Sequence, residues 1–151
     1  MSMLMDGQTS VGFLLHDVAR LMRYRFDARA RDLGVTRQQW RALLNLARQE
    51  GQTQAELADR LEVERITLCR MVDRLAEAGL VERRADPKDR RVWRLHLLPA
   101  AHDIVERLAL LGAEIEDEAH ELLGEEFATL SASLTRLRNG LREGDSRKRV
   151  A

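Results

Sequence analysis

Apolar residues recur along this chain at steps of three and four, the spacing that stacks side chains on one face of an α-helix. Over 11–33 the stripe is Leu14, Val18, Leu21, Met22 and Phe26, widened by Leu15 and Leu33, and Gly34 closes a long first helix. Thr36-Arg37-Gln38-Gln39 has the form of a capping box, in which the threonine hydroxyl accepts from an orphan amide and the glutamine reaches back. It opens a second helix whose buried side is expected to be Trp40, Leu43, Leu44 and Ala47. After Gly51 a second box, Thr53-Gln54-Ala55-Glu56, starts a short helix through Leu57, Ala58 and Leu61, and Glu62 and Val63 leave room for a tight turn. From Glu64 onward Leu68, Met71, Val72 and Leu75 make another stripe, with Arg65, Arg70 and Arg74 outside it. Gly79 stands where the helix end needs a residue tolerant of positive φ.

The period then changes. Leu80-Val81-Glu82-Arg83-Arg84 begins an extended segment, residues 85–91 turn through Pro87 and two aspartates, and Val92-Trp93-Arg94-Leu95-His96-Leu97 returns as a strand. Two short helices separated by a tight turn make a helix-turn-helix corner, and the basic hairpin directly after it makes the unit a winged helix. Beyond Pro99, which suits a first helical turn, Ile104, Val105, Leu108, Leu111 and Ile115 continue an apolar face to about Leu123. Gly124 breaks it, and a last helix over about 125–141 carries Phe127, Leu130, Leu134, Leu137 and Leu141, before a polar end at 143–151 that is expected to fray. The fold expected is mainly α with a small β-wing: a winged helix-turn-helix lobe over 34–98, with a helical dimerisation region over 11–33 and 99–142. The long outer helices carry more apolar surface than so small a lobe covers, so a second copy of the chain is the expected partner. Val11, Leu15, Leu108, Leu111 and Leu123, with Phe127, Leu130, Leu134 and Leu137, are the residues expected at that interface.

Composition changes this picture little, but charge distribution sharpens it. The 25 cations balance the 25 anions, yet between Arg60 and Arg94 basic residues outnumber acidic ones 10 to 7, whereas Asp103 to Glu126 holds nine acids against Arg107 alone. Arginine supplies 23 of the cations, and its planar fork suits phosphate oxygens and guanine edges. The single Cys69 excludes an internal disulfide and points to a reducing cytoplasm. Residues 1–10 lack a basic start followed by an apolar run, and no stretch approaches 18 consecutive apolar residues, so neither export nor a membrane span is expected.

Three segments together resemble the MarR family of bacterial and archaeal transcription regulators, nearest to its SlyA-like members. They are Gln54-Ala55-Glu56-Leu57-Ala58, then Arg70-Met71-Val72-Asp73-Arg74-Leu75 with Gly79-Leu80-Val81, and the wing Asp86-Pro87-Lys88-Asp89-Arg90-Arg91. The likeness covers about 13–141, making the chain a single MarR-like domain over 1–151. It implies a homodimer joined by the first and last two helices, with two winged lobes on adjacent major grooves of a pseudo-palindrome. It also implies control by a small molecule, often an aromatic carboxylate or phenol, bound between dimer region and lobe. One departure is visible: where the family usually has Leu-Thr, an acidic or polar turn and Gly, this chain has Leu97-Leu98-Pro99-Ala100-Ala101, which bears on the capping of the next helix.

Candidate contacts to double-stranded DNA follow from position. Arg70 matches the family's recognition-helix arginine and suits a fork onto guanine O6 and N7, although Asp73, three residues on, is an alternative partner. Arg65 and Thr67 lie at the helix start, where bases and phosphates come within reach. Arg74 suits a phosphate, or a pair with Glu77 or Asp73. At the wing, one of Arg90 and Arg91 is expected to enter a narrow minor groove and the other to meet phosphate, Asp86 or Asp89. Lys88 and Arg84 are secondary phosphate candidates, and Thr53 and Gln54 open a helix whose free amides suit phosphate, beside the capping role of Thr53.

For a small aromatic carboxylate or phenolic effector, His16, Arg20 and Tyr24 recur at four-residue spacing on the first helix, and Trp40 and Arg41 open the second; Trp40 equally suits the core. His16, His96, His102 and His120 show no metal spacing with one another or with Cys69, and no nucleophile motif or phosphate-binding glycine loop occurs, so no cofactor, metal or catalysis is expected. Cys69 reads as a small buried or half-buried thiol, in preference to a redox sensor on the recognition helix. The reading is a cytoplasmic regulator, of which repression is the expected mode; the rival is a dimeric scaffolding protein that keeps the fold without binding DNA.

Overall fold

The computed structural model describes residues 10–150, with side chains through residue 144; what was read from 1–9 and Ala151 lies outside it. The described residues form six helices, α1 (Val11–Asp32), α2 (Arg37–Arg48), α3 (Gln54–Leu61), α4 (Arg65–Glu77), α5 (Pro99–Leu123) and α6 (Glu126–Val150), and three strands, β1 (Gln52–Thr53), β2 (Val81–Ala85) and β3 (Trp93–Leu97). The chain divides into two compact units at Gly112 and Ala113, within α5.

Local chemistry explains the starts and stops in the first unit. The hydroxyls of Thr36 and Thr53 accept from the amides of Gln39 and Glu56 at 3.3 and 3.2 Å, and both reciprocal bonds are made, so α2 and α3 begin on complete capping boxes. The turn between α3 and α4 forces Glu62 into the left-handed region at φ 54°, and Gly79 ends α4 at φ 72°. In α4 the expected stripe is the buried one: Leu68, Met71, Val72 and Leu75 all face inward. Leu43 and Leu46 of α2, Leu57 and Leu61 of α3, and Leu95 of β3 are buried as well, giving a leucine-rich core.

β2 and β3 pair antiparallel, with Val81 opposite Leu97 and Ala85 opposite Trp93. A third strand not anticipated from the sequence, β1, pairs with the other edge of β3, so the sheet order is β1-β3-β2. Two residues are too few to show a period. Gln52 in β1 is buried and donates through Nε2 to the carbonyls of Asn45 and Gln49 at 3.0 and 2.7 Å, closing the end of α2.

Several expectations are corrected. Val92 belongs to the turn, donating to Asp89 O, and β3 begins one residue later. The buried side of α2 is Ala42, Leu43 and Leu46, while Ala47 is exposed, because α2 touches α1, α3, α4 and β3 instead of one neighbour. Only Phe26 and Ala30 of α1 are buried; Leu14, Val18 and Leu21 of its stripe stay exposed in the single chain. Leu108, assigned to a partner interface, is wholly buried within the chain itself and is unavailable to a second copy. α6 runs on to Val150, through most of the 143–151 stretch expected to fray.

Candidate nucleic-acid interface

The first turn of α4 differs from those of α2 and α3. Glu64 occupies the N-cap but its side chain makes no capping bond, so the amides of Arg65, Ile66 and Thr67 are left without an intrahelical acceptor. Arg65, Arg70 and Arg74 are exposed, and among the described residues none of the three side chains makes a hydrogen bond or ion pair. Asp73, the neighbour expected to compete for Arg70, is taken instead by Arg83 of β2, whose Nη2 donates to Asp73 Oδ1 at 2.6 Å. The Arg83 Nε donates to Gln54 Oε1 at 2.7 Å. One guanidinium thus fastens the wing strand to α3 and α4 and leaves Arg70 free.

The wing tip is pinned from below. Asp86 is buried and accepts from the backbone N–H of Lys88 at 2.7 Å and from Arg94 Nε, while Arg94 Nη1 donates to Gly51 O at 2.7 Å. The Lys88 amide and, next, the Arg94 guanidinium hold the Asp86 carboxyl below the usual carboxylate range. Outside this anchor Lys88 and Arg90 are exposed and, among the described side chains, unpaired. Arg91 is nearly free, its side chain 94% exposed and only 3.7 Å from Asp89 Oδ1. Arg84 lies against Glu82 of its own strand.

Other assigned residues occupy different settings. The Thr53 hydroxyl is engaged in its cap and the Gln54 carbonyl in Arg83, so neither side chain is idle. Thr67 is half-buried. Arg83 and Arg94 were missed by sequence reasoning. The available signal was an arginine at an inward-facing strand position, Arg83 between Val81 and Ala85, where burial demands a partner.

The five residues assigned to an effector are not gathered around one cavity. Tyr24 lines a cleft of about 500 Å³ with Asp27, Arg31, Gly34, Val35, Thr36 and Arg37. Trp40 packs on Phe26 with ring centroids 4.4 Å apart and donates to Asp27 Oδ1 at 2.8 Å, an anchor of α1 to α2. Asp27 also accepts from Arg37 and raises the pKa of that guanidinium. Arg41 turns away to donate to Leu61 O at 2.9 Å, and Arg20 sits near Asp17. His16 is exposed on α1 and outside the cleft. Among the described residues no His, Cys, Asp and Glu cluster could hold a metal ion, and no helix is long and apolar enough to cross a membrane.

The fold that carries these arginines is shared with proteins of known structure. The apo form of MarR from E. coli is 29% identical and superposes with a TM-score of 0.77, the match covering 85% of this chain and 96% of that one. Transcriptional regulator PA3341 is 32% identical with a TM-score of 0.77, covering 89% and 99%. A protein described as the multiple antibiotic resistance repressor, MarR, is 29% identical with a TM-score of 0.78, covering 85% and 94%. A model of the MarR family matches residues 33–92, which run from the end of α1 through the wing tip. With that lobe matched and the fold shared over nearly the whole length of these regulators, the chain belongs to the MarR family of transcription regulators.

Proposed function

We propose that the protein is a homodimeric, sequence-specific DNA-binding repressor acting on a pseudo-palindromic operator. The observation that carries this reading is the freedom of Arg70: the carboxylate able to neutralise it is held by Arg83, leaving a guanidinium turned outward on α4. With α4 in a major groove, Arg70 forks onto guanine, and Arg65, Thr67 and the open amides of the first turn meet neighbouring bases and phosphates. Arg90 or Arg91 enters the minor groove while Lys88, Arg84 and Arg74 lie near phosphate. The amide end of α3, at Thr53 and Gln54, adds a backbone contact. The lobe over 34–98 reads, and 11–33 with 99–142 dimerise.

Two sets of exposed apolar residues support the dimer: Phe13, Leu14, Val18 and Leu21 on α1, and Leu122, Leu130, Leu137 and Leu141 in the second unit. Repression is supported by the name of one similar protein. A small aromatic or phenolic effector fits the cleft beside Tyr24, where Arg31 meets a carboxylate while Arg37 stays with Asp27, and its binding releases the operator. A lone free thiol, Cys69, suits a cytoplasmic setting.

The test is selection of duplexes from random DNA by the purified chain, followed by titration at two salt concentrations. Tight binding with a steep salt slope is expected, with Arg70→Ala costing about 1 to 3 kcal/mol of discrimination and Arg91→Ala lowering the slope by about one. Unchanged binding in an Arg70, Arg90 and Arg91 triple alanine variant removes this reading in favour of a scaffolding dimer.

A further inference from the structure

Ile66 is 60% exposed, the only large apolar side chain of α4 left in solvent. Every other large apolar residue of the helix, Leu68, Met71, Val72 and Leu75, is buried. A β-branched residue gains nothing for helix formation at such a position, so neither packing nor propensity accounts for it. Its surroundings exclude a general docking patch: Arg65, Thr67 and Arg70 are polar or charged, Cys69 three residues on is small and half-buried, and no second large apolar side chain of the helix is exposed.

Ile66 and Arg70 are four residues apart, hence neighbours on one face, and that face is opposite the buried stripe. Ile66 also lies in the uncapped first turn. In the major groove the apolar group that a base pair displays is the C5-methyl of thymine. We infer that Ile66 reads a thymine methyl beside the guanine read by Arg70, which rests on the DNA-binding reading above. Four residues rise about 6 Å along a helix and base pairs about 3.4 Å along a strand, which puts the thymine within about two base pairs of that guanine.

The test removes the methyl alone. In a duplex selected from random DNA by the full chain, each thymine is replaced in turn by deoxyuridine, which keeps every hydrogen-bonding atom. At one position per half-site the wild-type protein is expected to lose roughly fourfold in affinity, the worth of one buried methylene-sized group. Ile66→Ala is expected to bind the unmodified duplex about as weakly as the wild type binds a duplex with that uracil in both half-sites, and to be indifferent to the uracil, whereas Ile66→Val keeps part of the sensitivity. Because the side chain is exposed, the urea midpoint of Ile66→Ala is expected to match the wild type. Tight binding with no uracil-sensitive position, equal sensitivity in wild type and Ile66→Ala, or a half-site without thymine near the guanine each overturns the assignment while leaving the regulator reading intact. If no duplex is retained at all, both fall.

Discussion

At the residue scale the site depends on two arginines, Arg83 and Arg94, whose guanidinium groups are bonded within the chain. Arg83 holds Asp73 and Gln54, so its removal acts on DNA binding indirectly. In Arg83→Ala the freed Asp73 is drawn to Arg70 one helical turn away, and affinity for a selected duplex is expected to fall several-fold. Adding Asp73→Ala is expected to restore part of it, an outcome that simple unfolding of the wing does not give. Stability drops by only about 1 kcal/mol, because Asp73 is half exposed and solvent screens the pair.

Asp86 supplies a pH signature at the same scale. Its pKa is lowered in the folded state, so the stabilisation it provides is complete above the ordinary carboxylate value of about 3.9 and is lost as pH falls through the lower folded value. The difference in urea midpoint between wild type and Asp86→Ala is therefore expected to be constant near neutrality. It shrinks only below that ordinary value.

At the element scale, helix starts divide into closed and open ones. α2 and α3 satisfy their first amides with capping boxes, and Thr36→Ala or Thr53→Ala is expected to cost about 1 kcal/mol each in urea denaturation. α4 leaves its start open, which in a surface helix is a loss of stability unless something outside the chain accepts those bonds. The turn leading into it is strained at Glu62, φ 54°, with no glycine to relieve it. Glu62→Gly is expected to raise stability by roughly 0.5 to 1 kcal/mol.

At the scale of the whole molecule, the core under the helix-turn-helix is complete within one chain, while α1 keeps Phe13, Leu14, Val18 and Leu21 in solvent. A partner that covers them explains the helix. The double variant Leu14→Glu with Val18→Glu is expected to sediment as a monomer at concentrations where the wild type is a dimer, with its lobe still folded. Its salt slope on a full operator is expected to fall by about half, since each half-site brings its own phosphate contacts. A dimer that survives both charges places the interface elsewhere.

Much of this was written in local spacing. The stripe Leu68, Met71, Val72 and Leu75, the capping boxes at Thr36 and Thr53, the glycine stop at Gly79 and the basic hairpin depend on residues within a few positions of one another, whose geometry a helical turn or a reversal dictates. The family resemblance also rested on such short runs. What stayed hidden joins distant segments: Arg83 to Asp73 across 10 residues, Arg94 to Gly51 across 43, and β1 to the far edge of β3. The same holds for Leu108, whose apolar character is plain but whose burial within its own chain is not. Pattern alone determined the six helices, the two strands of the wing and the apolar stripe of α4. Only the packing of sheet against helices decided which charge each arginine meets, and thereby that Arg70 is left free, because a side chain chooses among partners by distance in space and many segments of the sequence offer one.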